Sequence, residues 1–360
     1  MALEFDLIET YFKPLSKSLS AEEVGIGDDG AVLTVPENHQ MVVVTDTLVC
    51  GVHFLKEASA YDIAWKSVAV NLSDLAAMGA TPAGYSLGLT LPENDQAWLI
   101  EFARGLRAIG EQFKVPLIGG DTTKGPLVLT VTAQGWVPNQ QAILRSGAQV
   151  GDVVCVTQTI GDGALGLKLV LDSLSPVFKA QLTAGENQHL LSALNRPVPQ
   201  SKIAVALRGL VNSAADISDG LLADLGHILK QSNNKKTRLA TSILESSHQK
   251  SCGKSAPKKQ NVFAELGADI ELTQVPLSTA VKKYLAATDD WSLILSGGDD
   301  YQLCMTVSPL NWDKVQLVAE KYGVKITKIG QIVHQSGIRC LKRGTPVADG
   351  LDTVKGYAHF

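Results

Sequence analysis

The aspartates of this chain stand where they could do chemistry together. Asp28 and Asp29 lie between Gly27 and Gly30, Asp46 follows a β-branched run, Asp74 sits in an apolar stretch, and Asp121 follows Gly119-Gly120. In the second half Asp216 and Asp219 bracket Ile217-Ser218 ahead of Gly220, and Asp299-Asp300 follow Gly297-Gly298. Most therefore belong to strand ends or glycine-rich turns. Such carboxylates cannot converge as bare anions, because two unit charges about 4 Å apart repel by roughly 4 kcal/mol at an effective dielectric of about 20. Protons or cations must intervene. The donors are carboxylates, hydroxyls and carbonyls with no His/Cys cluster, so the cation is hard. Magnesium is the usual choice where phosphates complete its shell. Several magnesium ions imply a polyphosphate, with ATP the natural ligand. The chain has no Walker A sequence and no kinase-type glycine loop with HRD and DFG partners, so metals must do much of the phosphate binding.

Local elements have to place these acids. Met41–Val44 reads as a buried strand ending at Thr45-Asp46, which puts a hydroxyl and a carboxylate where open α/β sheets bind ligands. His53 follows seven residues on, past the turn residue Gly51. Ile63, Ala64, Val68, Leu72, Leu75 and Ala76 predict a helix over Tyr61–Met78, stopped by Gly79 and Pro82. Asn71 and Asp74 share a face of it. Asp74 either joins an exposed stripe or finds a partner, since burying an unpaired charge is costly. Strands are predicted at Tyr85–Leu91, Leu117-Ile118 and Leu127–Val137, and a helix at Trp98–Gly110. The two glycines before Asp121 would let a bulky group approach the backbone.

After a predicted strand at Val153–Thr157 comes Gly161-Asp162-Gly163-Ala164-Leu165-Gly166, formally a dinucleotide fingerprint. The acid ending a second strand that such a site needs is missing from Val177–Gly185, so the stretch reads as a glycine-rich turn into a helix. Asp216–Gly220 opens a helix with Leu221, Leu222, Leu225, Ile228 and Leu229 on one side. N-capping explains one of its polar residues, and a helix N-terminus also favours phosphate. Ala268–Leu272 reads as a strand and Ser278–Ala287 as a helix. Leu293–Leu295 and Tyr301–Val307 read as strand, turn, strand. A boundary near Gly147–Gly151 divides the chain into domains 1–148 and 149–360. Residues 231–261, polar and carrying seven Lys/Arg, read as a flexible insertion at about 233–263, with a basic partner-binding loop as the alternative. The aromatic C-terminus, Lys355–Phe360, is expected to be docked.

Composition sets the outer limits. With 360 residues, 45% hydrophobic and 19% charged, the chain can bury one large or two ordinary cores. A net charge of −4 gives no electrostatic footprint for nucleic acid or an anionic membrane. No apolar run approaches a membrane span, and the first residues, MALEFDLIETYF, form an amphipathic helix pattern rather than a signal peptide. Five scattered cysteines without a CxxC favour a reducing cytoplasm over a disulfide framework or zinc site.

GIGDDGAVL, TDTLVCGVHF, VNLSDLAAMGATP, LIGGDTTKGP, DISDGLLADLGHI, SGGDDYQL and the terminal KGYAHF, in this order, resemble the thiamine-monophosphate kinase family. Its wider superfamily includes aminoimidazole-ribonucleotide and selenophosphate synthetases. The resemblance implies an α/β fold of mixed sheets in two domains, with N-terminal sheets forming a homodimer. It implies transfer of the ATP γ-phosphoryl group to thiamine monophosphate with several magnesium ions. By the same resemblance Asp29, Val44, Thr45, Asp46, Asp74, Asp121, Asp216 and Asp219 would hold metal, Val44 through its carbonyl alone. Phe113, Gly120, Asp121, Arg145 and Ser218 would meet ATP, and His53, Asp299 and Tyr357 the substrate. Asp46, Asp74, Asp121 and Arg145 would carry catalysis. Four positions depart from the family pattern: Val44 replaces a frequent Ser, Phe113 a Tyr, Asp299 a Glu, and Tyr357 stands where an aromatic, sometimes Trp, is expected. The alternatives are another ATP-dependent synthetase of the superfamily and a non-catalytic protein that binds magnesium-nucleotide or thiamine phosphate. A reactive cysteine ahead of Cys50, which selenophosphate chemistry would want, is absent.

Overall fold

Two sheets organise the chain, one in each of two compact units. A computed structural model describes residues 4–16, 19–20, 22–248 and 265–347. One unit comprises residues 1–142 and 166–208, the other 143–165 and 209–360. The stretch 166–208 thus packs with the N-terminal unit, a partition that the linear boundary near residue 148 does not anticipate.

The first unit begins with a short irregular helical stretch: α1 (Glu4–Leu7), a π-helical turn (Ile8–Phe12) and a 3-10 turn (Lys13–Ser16). Then come β1 (His39–Val49), α2 (Ala60–Ala77), β2 (Thr81–Leu91), α3 (Gln96–Phe113), β3 (Leu117–Lys124) and β4 (Val128–Pro138). The sheet order is β1-β4-β2-β3, antiparallel except for the β2–β3 pair. β4 alternates strictly between buried and half-buried residues, the mark of a sheet with one covered face. Helix α2 is apolar nearly all round, which a helix can be only when buried on all sides. Fifteen of its residues are buried. Ser59 caps its start by accepting from the Asp62 N–H, and Gly79, at φ 64°, follows its end. Helix α3 starts on the Asp95 cap and stops at left-handed Lys114. Phe102 on α3 stacks on Trp98 at 4.7 Å and meets Phe12 edge-on at 6.4 Å, tying the N-terminal stretch to the core.

Both predicted strand ends in this unit move. β1 and β3 run on, so Asp46 and Asp121 lie inside strands, not after them. The polar Thr45-Asp46-Thr47 and glycine-rich Gly119–Thr123 segments still pair as β because β4 and β2 supply complete ladders.

The chain continues through β5 (Val153–Thr157), α4 (Asp162–Val170), α5 (Pro176–Lys179), α6 (Ala184–Asn195) and α7 (Ser201–Ala206). It goes on through β6 (Ser213–Asp216), α8 (Leu221–His248), β7 (Gly267–Glu271), α9 (Thr279–Thr288) and α10 (Trp291–Ser296). Last come β8 (Leu303–Val307), α11 (Trp312–Tyr322), β9 (Ile326–Val333), β10 (Gly337–Lys342) and β11 (Thr345–Pro346). The second sheet has the order β11-β10-β7-β9-β5-β8-β6, mostly antiparallel with a parallel β7–β10 pair. β5 and β8 are buried at every position, as their continuous apolar runs require of central strands.

Two second-half expectations are corrected. Leu293–Leu295 is helical, within α10, because Asp290 caps it by accepting from the Leu293 N–H and three apolar residues suit either state. The stretch read as flexible from residue 233 continues α8 to His248. Asn233 anchors it, donating to the Leu266 carbonyl at 3.2 Å and accepting from the Leu266 N–H at 2.9 Å. Residues 249–264 and 348–360 lie outside the described residues. Among the described residues four cysteines are free, and no helix is long and apolar enough to cross a membrane.

Candidate active site

In the first unit the candidate residues gather along the sheet. Thr45 bonds Thr132 between hydroxyls at 3.0 Å, and Thr47 bonds Thr130 at 2.9 Å, on one sheet face. Alternation places Val44 and Asp46 on the opposite face, across from Ala133 and Val131, both buried. The Thr45 hydroxyl and the Asp46 carboxylate therefore diverge, leaving Thr45 only its carbonyl for a ligand near Asp46. Asp74 is half-buried on α2, where Asn71 of the same face is fully buried. Asp121 is exposed on the edge strand β3, opposite Gly88. β1 and β3 are the outer strands with two between them, so Asp46 and Asp121 are separated by about 14 Å of sheet. One ion cannot bridge them within this sheet.

The surrounding residues are less uniform in character. Asp28 and Asp29 are exposed in a loop that the Val24 and Val32 backbones close through reciprocal hydrogen bonds of 3.0 and 2.9 Å. The Val49 N–H donates to His53 Nδ1 at 3.0 Å, which places the proton of the neutral ring on Nε2. Gly119 opens on free space. At Gly120 a Cβ would fall 2.0 Å from the Leu87 carbonyl oxygen, so the neighbouring strand, not a ligand, uses that room. Phe113 packs edge-on against Trp65 at 6.5 Å, and Trp65 donates to the Pro197 carbonyl at 2.9 Å, which gives Phe113 a place in a structural aromatic pair.

The second unit brings three turns together. Gly298 sits so close to the Ser218 carbonyl that a Cβ would lie 2.1 Å from its oxygen, and at Gly163 one would lie 2.2 Å from the Asp299 oxygen. The Asp299 N–H donates to the Ser218 carbonyl at 3.0 Å and the Tyr301 N–H to that of Ile217 at 2.8 Å. Turns 161–163, 216–220 and 296–300 therefore share backbone contacts. The glycines are what allow this approach. Asp216 is buried at the end of β6, while Ser218 and Asp219 are half-buried beyond it. Asp299 takes left-handed φ 66° and accepts from the Tyr301 hydroxyl at 3.0 Å. Arg145 is exposed. Its carbonyl accepts from Ser232 Oγ at 3.2 Å, and that oxygen also accepts from the Ala148 N–H at 3.1 Å. Tyr357 lies outside the described residues.

Two buried acids were not singled out for a role by the sequence. Asp300 accepts from the Gly161 N–H at 3.0 and 2.9 Å and from that of Gly163 at 3.3 Å. Burial holds it well above the usual carboxylate range, against the pull of the Gly161 amide. Asp224 on α8 accepts the Ser218, Asp219 and Gly220 N–H groups on one oxygen, at 3.1, 3.2 and 3.2 Å. Burial first, then the charges of Asp216 and Asp219, push it up to about 8. The available sequence signal was weak: an acid in the first turn of a helix following a polar loop. Donor oxygens from Asp219 and Asp224 and a His227 nitrogen lie within 4.8 Å of one another.

Residues 27–137 match the family AIR synthase related protein, N-terminal domain. The structure is thus an α/β protein with two mixed sheets, whose first unit carries an AIR-synthase-related domain. The chain is 39% identical over 360 residues to a thiamine-monophosphate kinase of Haemophilus influenzae, covering 99% of this chain and 98% of the relative. The crystal structure of thiamine-monophosphate kinase from Stenotrophomonas maltophilia superposes with TM-score 0.77 at 37% identity, over 93% and 96% of the two chains. That of AaThiL complexed with AMPPCP and TMP does so with TM-score 0.69 at 27% identity, over 100% and 99%. The chain belongs to the thiamine-monophosphate kinase family.

Proposed function

We propose that the protein transfers the γ-phosphoryl group of ATP to thiamine monophosphate, giving thiamine diphosphate and ADP. Family membership over essentially the whole chain carries this reading. The complex of AaThiL with AMPPCP and TMP, taken as thiamine monophosphate, supports the same pair of substrates.

The acceptor is a phosphate monoester whose second pKa is about 6, so its attacking oxygen is largely ionised at neutral pH and requires no general base. The difficulty is bringing two polyanions together. Each unit offers donors that fit magnesium: Asp29, Asp46, Asp74 and Asp121 with the Val44 and Thr45 carbonyls in the first, and Asp216 and Asp219 in the second, all hard oxygen ligands. When bound, magnesium supplies charge neutralisation and alignment for in-line transfer. The separation of Asp46 from Asp121 suits an extended polyphosphate with more than one ion. Asp46, Asp74 and Asp121 hold the charge-neutralising positions in this reading. Gly120, through its backbone alone, and Ser218 meet the nucleotide, Arg145 steadies phosphate, and His53, Asp299 and Tyr357 orient the acceptor. Phe113 borders the nucleotide from its contact with Trp65.

The reading extends to a homodimer through the open face of the first sheet, where Met41 and Val43 are 55% and 51% exposed. Free thiols support a cytoplasmic setting. The deciding experiment supplies ATP, magnesium and thiamine monophosphate and follows thiamine diphosphate by chromatography, with thiamine as the control acceptor. Magnesium-dependent product from the monophosphate alone establishes the reaction. Saturable magnesium-nucleotide binding without product redirects the search to other acceptors of the superfamily.

A further inference from the structure

The turn 216–220 carries three candidate ligands, yet its own residues do not hold it in shape. Its carbonyls at Ile217 and Ser218 are taken by the Tyr301 and Asp299 N–H groups. Its N–H groups at 218, 219 and 220 all converge on Asp224 Oδ2. Asp224 in turn donates its own N–H to the Gly220 carbonyl at 3.0 Å, the first bond of α8. Asp224 is 2% exposed. Three convergent amides on one oxygen fix the path of a loop, leaving the side chains of Ser218 and Asp219 half-buried beyond it. Without an acceptor at this point, three amides in a nearly closed site would be left unpaired, and the turn would have to open to find water.

We propose that Asp224 is a positioning residue: it presets the Ser218–Gly220 turn, and through it Asp216, Ser218 and Asp219, for the magnesium-nucleotide. This rests on the reading of that turn as a nucleotide and metal site. The carboxylate's place is to accept amides, not to touch an ion. An asparagine can do the same with its single oxygen. Alanine cannot accept at all.

The test measures magnesium-ATP binding by calorimetry and steady-state kinetics for the wild type, Asp224→Asn and Asp224→Ala. Thermal melting controls for folding. Loss of the amide acceptor should weaken magnesium-ATP binding by about tenfold or more in Asp224→Ala, while Asp224→Asn stays within about threefold of wild type. The change should fall on KM for ATP and on the magnesium half-saturation, with KM for the acceptor little moved. Equal losses in both variants would make Asp224 an ion ligand and overturn the assignment, as would an alanine variant that binds normally. If alanine does not fold, Asp224→Ser, whose hydroxyl can take one amide, must bind magnesium-ATP more weakly than Asp224→Asn but still measurably. A serine variant equal to the wild type would also overturn the proposal. The binding arm does not depend on the acceptor, so a protein that makes no thiamine diphosphate but shows this pattern refutes the activity and keeps the role of Asp224.

Discussion

Asp46 shows what one residue contributes. It sits in the interior of β1, with Thr45 and Thr47 turned to the other sheet face by their bonds to Thr132 and Thr130. Asp46→Asn keeps the size and the strand but removes the charge. Turnover should fall by about a hundredfold or more, the scale of losing a group that stabilises transferring charge, with melting unchanged. Thiamine diphosphate formation at saturating substrates checks this, and activity near the wild-type level would remove Asp46 from the site. Glu271 illustrates a purely structural charge. The Thr273 hydroxyl first, then the Gly344, Arg343 and Thr273 amides, hold the carboxyl of this half-buried residue down at about 2. Its folded value lies below its ordinary 4.5, so its stabilisation is present above that value and disappears as pH falls through about 2. Glu271→Gln should therefore flatten the acid limb of the stability curve between about 2 and 4.5, and at higher pH lower the stability by a constant amount without changing its pH dependence. Denaturant midpoints measured across the range would show it.

At the scale of elements, the second unit depends on turns that touch through their backbones. Gly298 faces the Ser218 carbonyl with no room for a side chain. Gly298→Ala must push turn 296–300 away from turn 216–220, at a cost of about 1–3 kcal/mol. The unfolding midpoint should drop accordingly. Activity should drop further than stability does, because the Asp299 and Asp219 turns lose their mutual register. An alanine variant with wild-type kinetics would show that the two turns work independently. The same turns also explain which expectations failed. The apolar triplet Leu293–Leu295 fits strand or helix equally, and only the Asp290 cap and its neighbours select the helix. β9 has no alternating sequence pattern because it carries an extra residue, Ile329, where Val154 and Cys155 of β5 pair with Gly330 and Lys328, and this bulge breaks the period of two.

At the scale of the whole molecule, the proposed dimer would use the open face of the first sheet. Met41 and Val43 expose more than half their surface there, beside the threonine pairs. Val43→Lys should turn a dimer into a monomer, read by light scattering on a sizing column over a range of concentrations. A monomeric, fully active wild type would refute the dimer. The division of the chain also belongs to this scale. Residues 166–208 follow second-unit residues in sequence but join the first unit in space, through contacts such as Trp65 with the Pro197 carbonyl.

The amino-acid sequence by itself determined the glycine-flanked acids, most of the helices and central strands, and the order of motifs that marks the family. These are local properties: periodicity, turn chemistry and residue type are written within a few positions of one another. Tertiary structure alone decided which face of β1 receives Asp46, how far Asp46 stands from Asp121, and that Gly120 yields its space to Leu87. It also decided that Asp300 is a buried acceptor of amides from a distant segment, and that Asp224 is buried under the turn that precedes it. An aspartate looks the same in sequence whether it meets water, a metal or three backbone N–H groups. What separates those fates is burial and the partners that distant chain segments supply, and these exist only once the segments have packed.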